Sequence, residues 1–263
     1  TLEALMPDRQ AIQAGTSHFL GQNFARAFGV KFLDRDNTEK YVWTTSWAVT
    51  TRLLGTLVMA HGDDRGLGLP PRIAPLQVVV VPIPGKEGDR VLAAAREVTE
   101  RLRAVARVRL DDRDEYTPGW KFNDWEMRGV PVRVEVGPRD LAAGQVTLVQ
   151  RTAPGRTAVP LEGLEVAVQT ALEEVQRAYY ARARAFLDAH VVEADALEAL
   201  EAAIRERRGF VKVGWCQDQA CEDAVRECTG ASPRVIPLDD RPRGACVVCG
   251  RPSGATVYYA RAY

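Results

Sequence analysis

The stretch Leu76–Leu110, LQVVVVPIPGKEGDRVLAAAREVTERLRAVARVRL, decides the architecture of the middle of the chain. LQVVVVPI is a continuous apolar run, as expected of a strand buried on both faces. Asp89 is placed to cap a helix whose apolar stripe is Val91, Ala95, Val98, Leu102 and Val105. ARVRL follows as a second strand. Strand, helix and strand in that order make a βαβ unit, and with it a largely parallel sheet.

Working outward, TPGWKFNDWEMRG reads as a short helix, VPVRVEVG as a third strand and QVTLVQR as a fourth. Upstream, Tyr41–Thr51 reads as a strand running into a helix over RLLGTLVMAHG, with Leu53, Leu54, Leu57 and Val58 at helical spacing and Gly62 at its end. GDDRGLGLPPRIAP is punctuated by glycine and proline, which predicts a linker. Downstream, Leu164–His190 is a long helix striped by Leu164, Val168, Leu172, Val175 and Tyr179. A second helix, Ala194–Arg208, stops at Gly209. The expected fold class is a multidomain mixture of α+β and α/β, with divisions at 1–72, 73–165 and 166–263.

The bulk composition narrows the function classes. With 46% hydrophobic and 27% charged residues, the 263-residue chain is ordinary for a soluble globular protein, and no apolar run is long enough for a membrane span. Equal numbers of basic and acidic side chains, 35 each, argue against indiscriminate nucleic-acid binding but leave room for a local basic face. The chain opens on Thr1 rather than methionine, in an apparently structured segment, and is expected to be part of a longer protein.

All five cysteines lie after residue 215. Cys216 and Cys221 form one short-spaced pair, and Cys246 and Cys249, followed by Gly250, form another. Two such pairs suit a tetrahedral structural Zn2+ held by four thiolates, with no coordination position left for catalysis. Plain buried thiols are the alternative. Cys228 is the spare and is expected to pack as a small hydrophobe. Paired thiols of this kind fit a reducing compartment, hence the cytoplasm.

QAGTSHFLGQNF (13–24) carries one of the three histidines, His18. Read alone, it is either a capped turn with a packed histidine or a ligand-facing surface. TTSWAVTT, ending at Arg52, is either a half-exposed strand with a surface arginine or a small-residue face for a flat ring. In the second case the arginine would meet phosphate or stack on a base.

QAGTSHFLGQNFARAF, TTSWAVTTRLLGTLVMAHGDDRGLGLPPRIAP and the terminal cysteine pairs resemble prolyl-tRNA synthetases, in the archaeal/eukaryotic-like form with an extra C-terminal zinc domain. The likeness runs through essentially the whole chain, and TTSWAVTTRLLG looks like motif 3 of class II aminoacyl-tRNA synthetases. The resemblance implies that residues 1–72 are the later part of an antiparallel-sheet catalytic domain and 73–165 an α/β anticodon-binding domain with a mixed sheet. Residues 166–263 would be a helical linker and a small α+β zinc-binding domain. It implies ATP with Mg2+, L-proline and tRNA(Pro) as ligands and a homodimer, without membrane or DNA. Proline would attack the α-phosphate of ATP, and the prolyl group would then pass to tRNA.

Carried over by position, Gln13, Thr16, Thr50 and Arg52 match ATP contacts, with Arg52 the catalytic residue, and His18 matches a proline contact. The tail YYARAY would fold back toward the catalytic domain, bringing Tyr263 close to it. Motifs 1 and 2 are not found, so these residues alone are expected not to aminoacylate.

Proline anticodons present two guanines, whose edges offer N1–H and N2–H donors to a carboxylate and an O6 acceptor to a cation. Glu126 and Arg133 are the expected base readers, and Lys121 a base or phosphate contact, though each could be a solvated charge. Phe122 or Trp120 could stack on a base or pack in the core. The alternative function is a non-catalytic synthetase paralogue that binds tRNA or regulates. A zinc-dependent nucleic-acid module would need basic residues near the cysteines, where Asp218, Glu222, Asp223 and Glu227 stand instead.

Overall fold

The computed structural model describes residues 1–207, 209–239 and 241–263. The chain forms two compact units, one of Thr1–Ala60 with Phe186–Tyr263 and the other of His61–Ala185. Among the described residues no helix is long and apolar enough to cross a membrane.

The first segment holds β1 (Leu2–Leu5), β2 (Ala11–Gly21), α1 (Asn23–Phe28), β3 (Lys31–Leu33), β4 (Glu39–Tyr41), β5 (Thr44–Ala48) and α2 (Arg52–His61). β2 is the middle strand of an antiparallel sheet in the order β1-β2-β5, and β3 and β4 form a separate hairpin. QAGTSHFLG is therefore strand, not a capped turn. The strand expected over Tyr41–Thr51 is limited to Thr44–Ala48, because Thr50 already accepts the first bonds of α2.

The second unit carries β6 (Val78–Pro82), α3 (Gly88–Arg103), β7 (Val108–Leu110), α4 (Pro118–Met127), β8 (Val132–Val136), α5 (Pro138–Ala142), β9 (Gln145–Gln150), β10 (Thr157–Pro160) and most of α6 (Leu164–Ala189). β6 explains its own apolar run. Val78 and Val80 face a core with α3 and α6, while Val79 and Val81 face Trp125 of α4 and Val130. A strand covered on both sides has no polar face to alternate with.

The sheet order is β10-β9-β8-β6-β7, with β6 parallel to β7 and β8. The βαβ unit is as expected, but β9 and β10 run antiparallel and make the sheet mixed. β10 was missed because TAVP is short and bounded by proline. Asp89 does not cap α3. The helix begins at Gly88 with Glu87 at the N-cap, and Asp89 lies in the first turn, where a carboxylate still faces the positive helix end. Arg101 donates two bonds to Glu165, at 2.8 and 2.9 Å, and so ties α3 to α6.

The stretch read as a linker is ordered on the second unit. Asp63 and Gly66 exchange backbone bonds of 3.0 and 2.9 Å, and Leu67 N–H donates to the Met127 carbonyl at 2.9 Å. The chain continues with β11 (Val191–Glu193), α7 (Leu197–Arg207), β12 (Phe210–Trp215), α8 (Gln219–Thr229), β13 (Ser232–Val235) and β14 (Ala255–Ala260). These strands form a sheet in the order β11-β12-β14-β13. The helix expected over Ala194–Arg208 begins at Leu197, and its expected last residue, Arg208, lies outside the described residues.

Candidate nucleic-acid interface and metal centre

α4 borders the cleft of the second unit. Thr117 caps the helix, accepting from Trp120 N–H at 3.3 Å, and Pro118 fits the first turn, where no backbone donor is needed. The helix and β8 border an open cleft of about 520 Å³ lined by Phe122, Glu126, Arg133, Arg65, Arg151 and Arg156 among others. The guanidinium of Arg133 lies 4.2 Å above the Phe122 ring. Its Nε donates to Glu135 Oε1 at 2.9 Å, and Arg156 donates to the other oxygen of that buried carboxylate. Glu126 accepts from Arg65 Nη1 at 2.7 Å and keeps 23% of its side chain exposed. The cleft thus offers a carboxylate, several guanidiniums and an aromatic ring within one concavity. That combination suits an unstacked base with its phosphate nearby.

The structure brings Glu126 and Arg133 together on this cleft, but not Lys121. Lys121 is 4% exposed, and its ammonium donates to the Asp111 carbonyl at 3.1 Å. The reason is its position one turn from Trp125 on the buried face of α4. Asp111 also takes bonds from Arg113 Nε at 2.8 Å and Trp125 Nε1 at 2.7 Å. Burial pushes the Asp111 carboxyl up, but these bonds and the charges of Lys121 and Arg113 outweigh it, and the group is held below its usual range. Trp120, stacked on Tyr116 at 3.9 Å, does not line the cleft. Arg65, Arg151 and Arg156 were missed. Nothing in their local spacing marks them, because only the fold gathers them.

The polar row of the first unit lies on β2 and β5. Glu3 pairs with Gln13 and Leu2 with Gly15, so β2 carries one extra residue there. The bulge resets the two-residue alternation and puts Gln13 on the side of Thr16 and His18. Thr16 Oγ1 and His18 Nε2 are 2.8 Å apart. Thr50 accepts from Arg52 N–H at 3.3 Å, so these two sit at the β5–α2 junction, both exposed. The tail returns to the start of the same strand. Ala11 N–H donates to the Arg261 carbonyl at 2.8 Å, Tyr263 N–H to the Ala11 carbonyl at 3.3 Å, and Tyr263 Oη to Asp8 at 2.7 Å.

Cys216, just after β12, Cys221 in α8, and Cys246 and Cys249 in the turn before β14 converge, their sulfurs all within 4.8 Å of one another. Cys216 lies 3.6 Å from Cys221 and 3.7 Å from Cys249, close to the roughly 3.8 Å sulfur separation that a tetrahedral zinc with 2.3 Å bonds requires. Gly250 closes the second turn at φ 70°, in the left-handed region that glycine adopts freely, donating to the Cys246 carbonyl at 2.9 Å. The guanidinium of Arg251 beside Cys249 draws that thiol down to about 6, while burial pushes Cys221 up to about 12. Cys228 is exposed on α8, with Sγ 3.4 Å from the Val225 carbonyl, and is not packed as a core residue.

Residues 77–176 match the family model described as anticodon binding domain, and 197–263 match that of the C-terminal region of prolyl-tRNA synthetase. The whole chain aligns with the proline–tRNA ligase of Cenarchaeum symbiosum at 49% identity, covering 56% of that protein. Those of Symbiobacterium thermophilum and Natranaerobius thermophilus are 50% and 45% identical over the whole chain, of which it covers 56% and 55%. The chain thus spans about half the length of the curated relatives it matches. With both family models in sequence and this identity along its entire length, the chain belongs to the prolyl-tRNA synthetase family, whose anticodon-binding and C-terminal domains it carries.

Proposed function

We propose that the chain supplies the tRNA-reading part, and one wall of the ATP and proline pocket, of a cytoplasmic enzyme joining L-proline to tRNA(Pro) through prolyl-adenylate. The observation that carries this is the cleft itself, which Glu126, Arg133 and Phe122 line together. Glu126 accepts from the N1–H and N2–H edge of an anticodon guanine, Arg133 donates to an acceptor edge, and Phe122 stacks on the base. Residues 1–72 act as the later part of a class II catalytic sheet. There Gln13 and Thr16 meet ATP, His18 meets proline, and Thr50 and Arg52 hold the nucleotide. Adenylate formation rests on orientation and charge stabilisation, with Mg2+ spreading phosphate charge, so these residues position and donate rather than act as nucleophiles.

The four thiols fit a structural Zn2+, which closes the turn before β14 on α8 and leaves no open position for substrate. A homodimer belongs to the same proposal, as the resemblance implies it; Phe19 and Trp47, each 75% exposed, offer apolar surface that the rest of a longer chain or a second copy would cover.

The test is binding of a proline anticodon stem-loop to this chain. Glu126→Ala is expected to weaken it by about 1–3 kcal/mol, as for a lost bidentate base contact, while a stem-loop whose guanines are replaced by adenines binds no more weakly than before. Equal loss on both RNAs would remove the anticodon assignment. Exchange of pyrophosphate into ATP with proline, assayed on these residues alone, is expected to be absent.

A further inference from the structure

The Asp63–Gly66 turn has no place in base reading as described so far, yet it is built against the helix that carries Glu126. Gly66 has φ 122°, and a Cβ there would fall 2.4 Å from the Met127 Cα and 2.5 Å from its carbonyl oxygen. Leu67 N–H bonds that same carbonyl at 2.9 Å. The turn is braced from below as well. Asp63 takes bonds of 3.0 and 2.5 Å from the two Nη atoms of buried Arg151, and accepts from Arg65 N–H at 3.0 Å. Arg65 leaves this brace with one Nη on the Arg151 carbonyl at 3.2 Å and the other on Glu126 Oε1 at 2.7 Å. An ordinary surface ion pair has two free side chains. Here the arginine is held by a fork across two acceptors and the glutamate's backbone by the last turn of α4, which leaves Arg65 as the partner that orients the carboxylate.

We infer that Arg65 is a specificity-determining positioning residue: it fixes the carboxylate of Glu126 in the orientation that meets the donor edge of guanine. The inference rests on the base-reading role proposed for Glu126. A carboxylate has about four acceptor positions, so Oε1 can hold Arg65 and still leave room for a base donor. Held in place, it meets guanine N1–H and N2–H with little ordering cost. Against adenine, which presents an acceptor at N1, it places an acceptor against an acceptor. A carboxylate free to swing away loses the first contact and avoids the second, so discrimination falls more than affinity does.

The experiment is fluorescence titration of the chain with three proline anticodon stem-loops, carrying guanine, inosine (which lacks the 2-amino group) or adenine at the read positions. Wild type is expected to prefer guanine over adenine, with inosine between. Arg65→Gln is expected to cut the guanine-to-adenine ratio about tenfold, the scale of one lost base-edge contact. Its thermal midpoint is read alongside to show that it is folded. Glu126→Gln is expected to lose the preference, and Arg65→Gln in that background to lower it no further. Arg65→Lys, which keeps the charge and can reach Glu126, is expected to retain more of the ratio than Arg65→Gln. An Arg65→Gln variant that binds every stem-loop more weakly by the same factor would mark a phosphate contact or a general structural role, and overturn the inference. So would a lysine variant no better than glutamine. Absence of guanine preference in wild type, or its survival in Glu126→Gln, would instead remove the base-reading role of Glu126, and the inference with it.

Discussion

Lys121 and Asp111 form an ion pair inside the second unit, the ammonium 3.1 Å from the Asp111 carbonyl and 3.9 Å from its carboxylate, with side chains 5% and 0% exposed. Asp111 is the hub on which β7 ends and α4 rests, since Arg113 and Trp125 bond it too. Arg113 keeps the Asp111 carboxylate paired, so removing Lys121 chiefly leaves the buried Asp111 carbonyl without its donor, which costs about 1–3 kcal/mol. Lys121→Met is therefore expected to lower the urea midpoint strongly while the protein that remains folded binds the anticodon stem-loop with unchanged affinity. Lost RNA binding at wild-type stability would return Lys121 to the interface.

What the sequence made legible follows from how local each signal is. The apolar run of β6 and the stripe of α3 are read directly from residue order, because burial of a strand or helix face depends on its own periodicity. The cysteine pairs are legible for the same reason. Lys121 was misread because a lysine between two aromatic residues looks the same whether its helix face is turned in or out. Only the non-local partner Asp111, ten residues upstream, decides it. Arg65 was hidden more deeply. Its glycine-rich surroundings read as a linker, although the φ of Gly66 and its approach to Met127 are what hold the turn on α4.

The cysteine cluster gives a prediction about metal. Purified chain should contain close to one zinc per molecule, and Cys221→Ser, which removes a buried thiol of the cluster in α8, should lose it. Binding free energy at a structural site is folding free energy, so the loss is expected to lower the thermal midpoint by roughly 5 °C or more. Full stability with no zinc bound would mean that the four thiols act as core packing alone.

Asp63 predicts a pH dependence. The bonds from Arg151, offset in part by burial, hold its carboxyl at about 2, below the ordinary value near 3.9 that it regains on unfolding. A carboxyl more acidic in the folded state stabilises above the unfolded value, and that stability is lost as pH falls from about 4 to about 2. With 34% of the side chain exposed, solvent screening trims the contribution to about 1 kcal/mol. The gap in urea midpoint between wild type and Asp63→Asn should accordingly narrow between pH 5 and pH 2. A constant gap across that range would mean that the ion pair contributes nothing beyond a neutral hydrogen bond.

Gly66→Ala tests the turn that carries Arg65. Three obstacles face the new Cβ, the Cα, carbonyl carbon and oxygen of Met127 at 2.4, 2.9 and 2.5 Å, and all are backbone, so no side chain can rotate away. The φ of 122° adds strain that only glycine escapes. Either the turn lifts off α4 or the end of α4 gives way, at a cost of about 2 kcal/mol or more. Both routes break the Leu67–Met127 bond and carry Arg65 away from Glu126. The variant should therefore be less stable to urea and also show the weakened guanine preference expected of Arg65→Gln. If stability fell while the guanine preference stayed at the wild-type value, Arg65 would be reaching Glu126 without help from the turn, and the bracing role given to Asp63–Gly66 would be wrong.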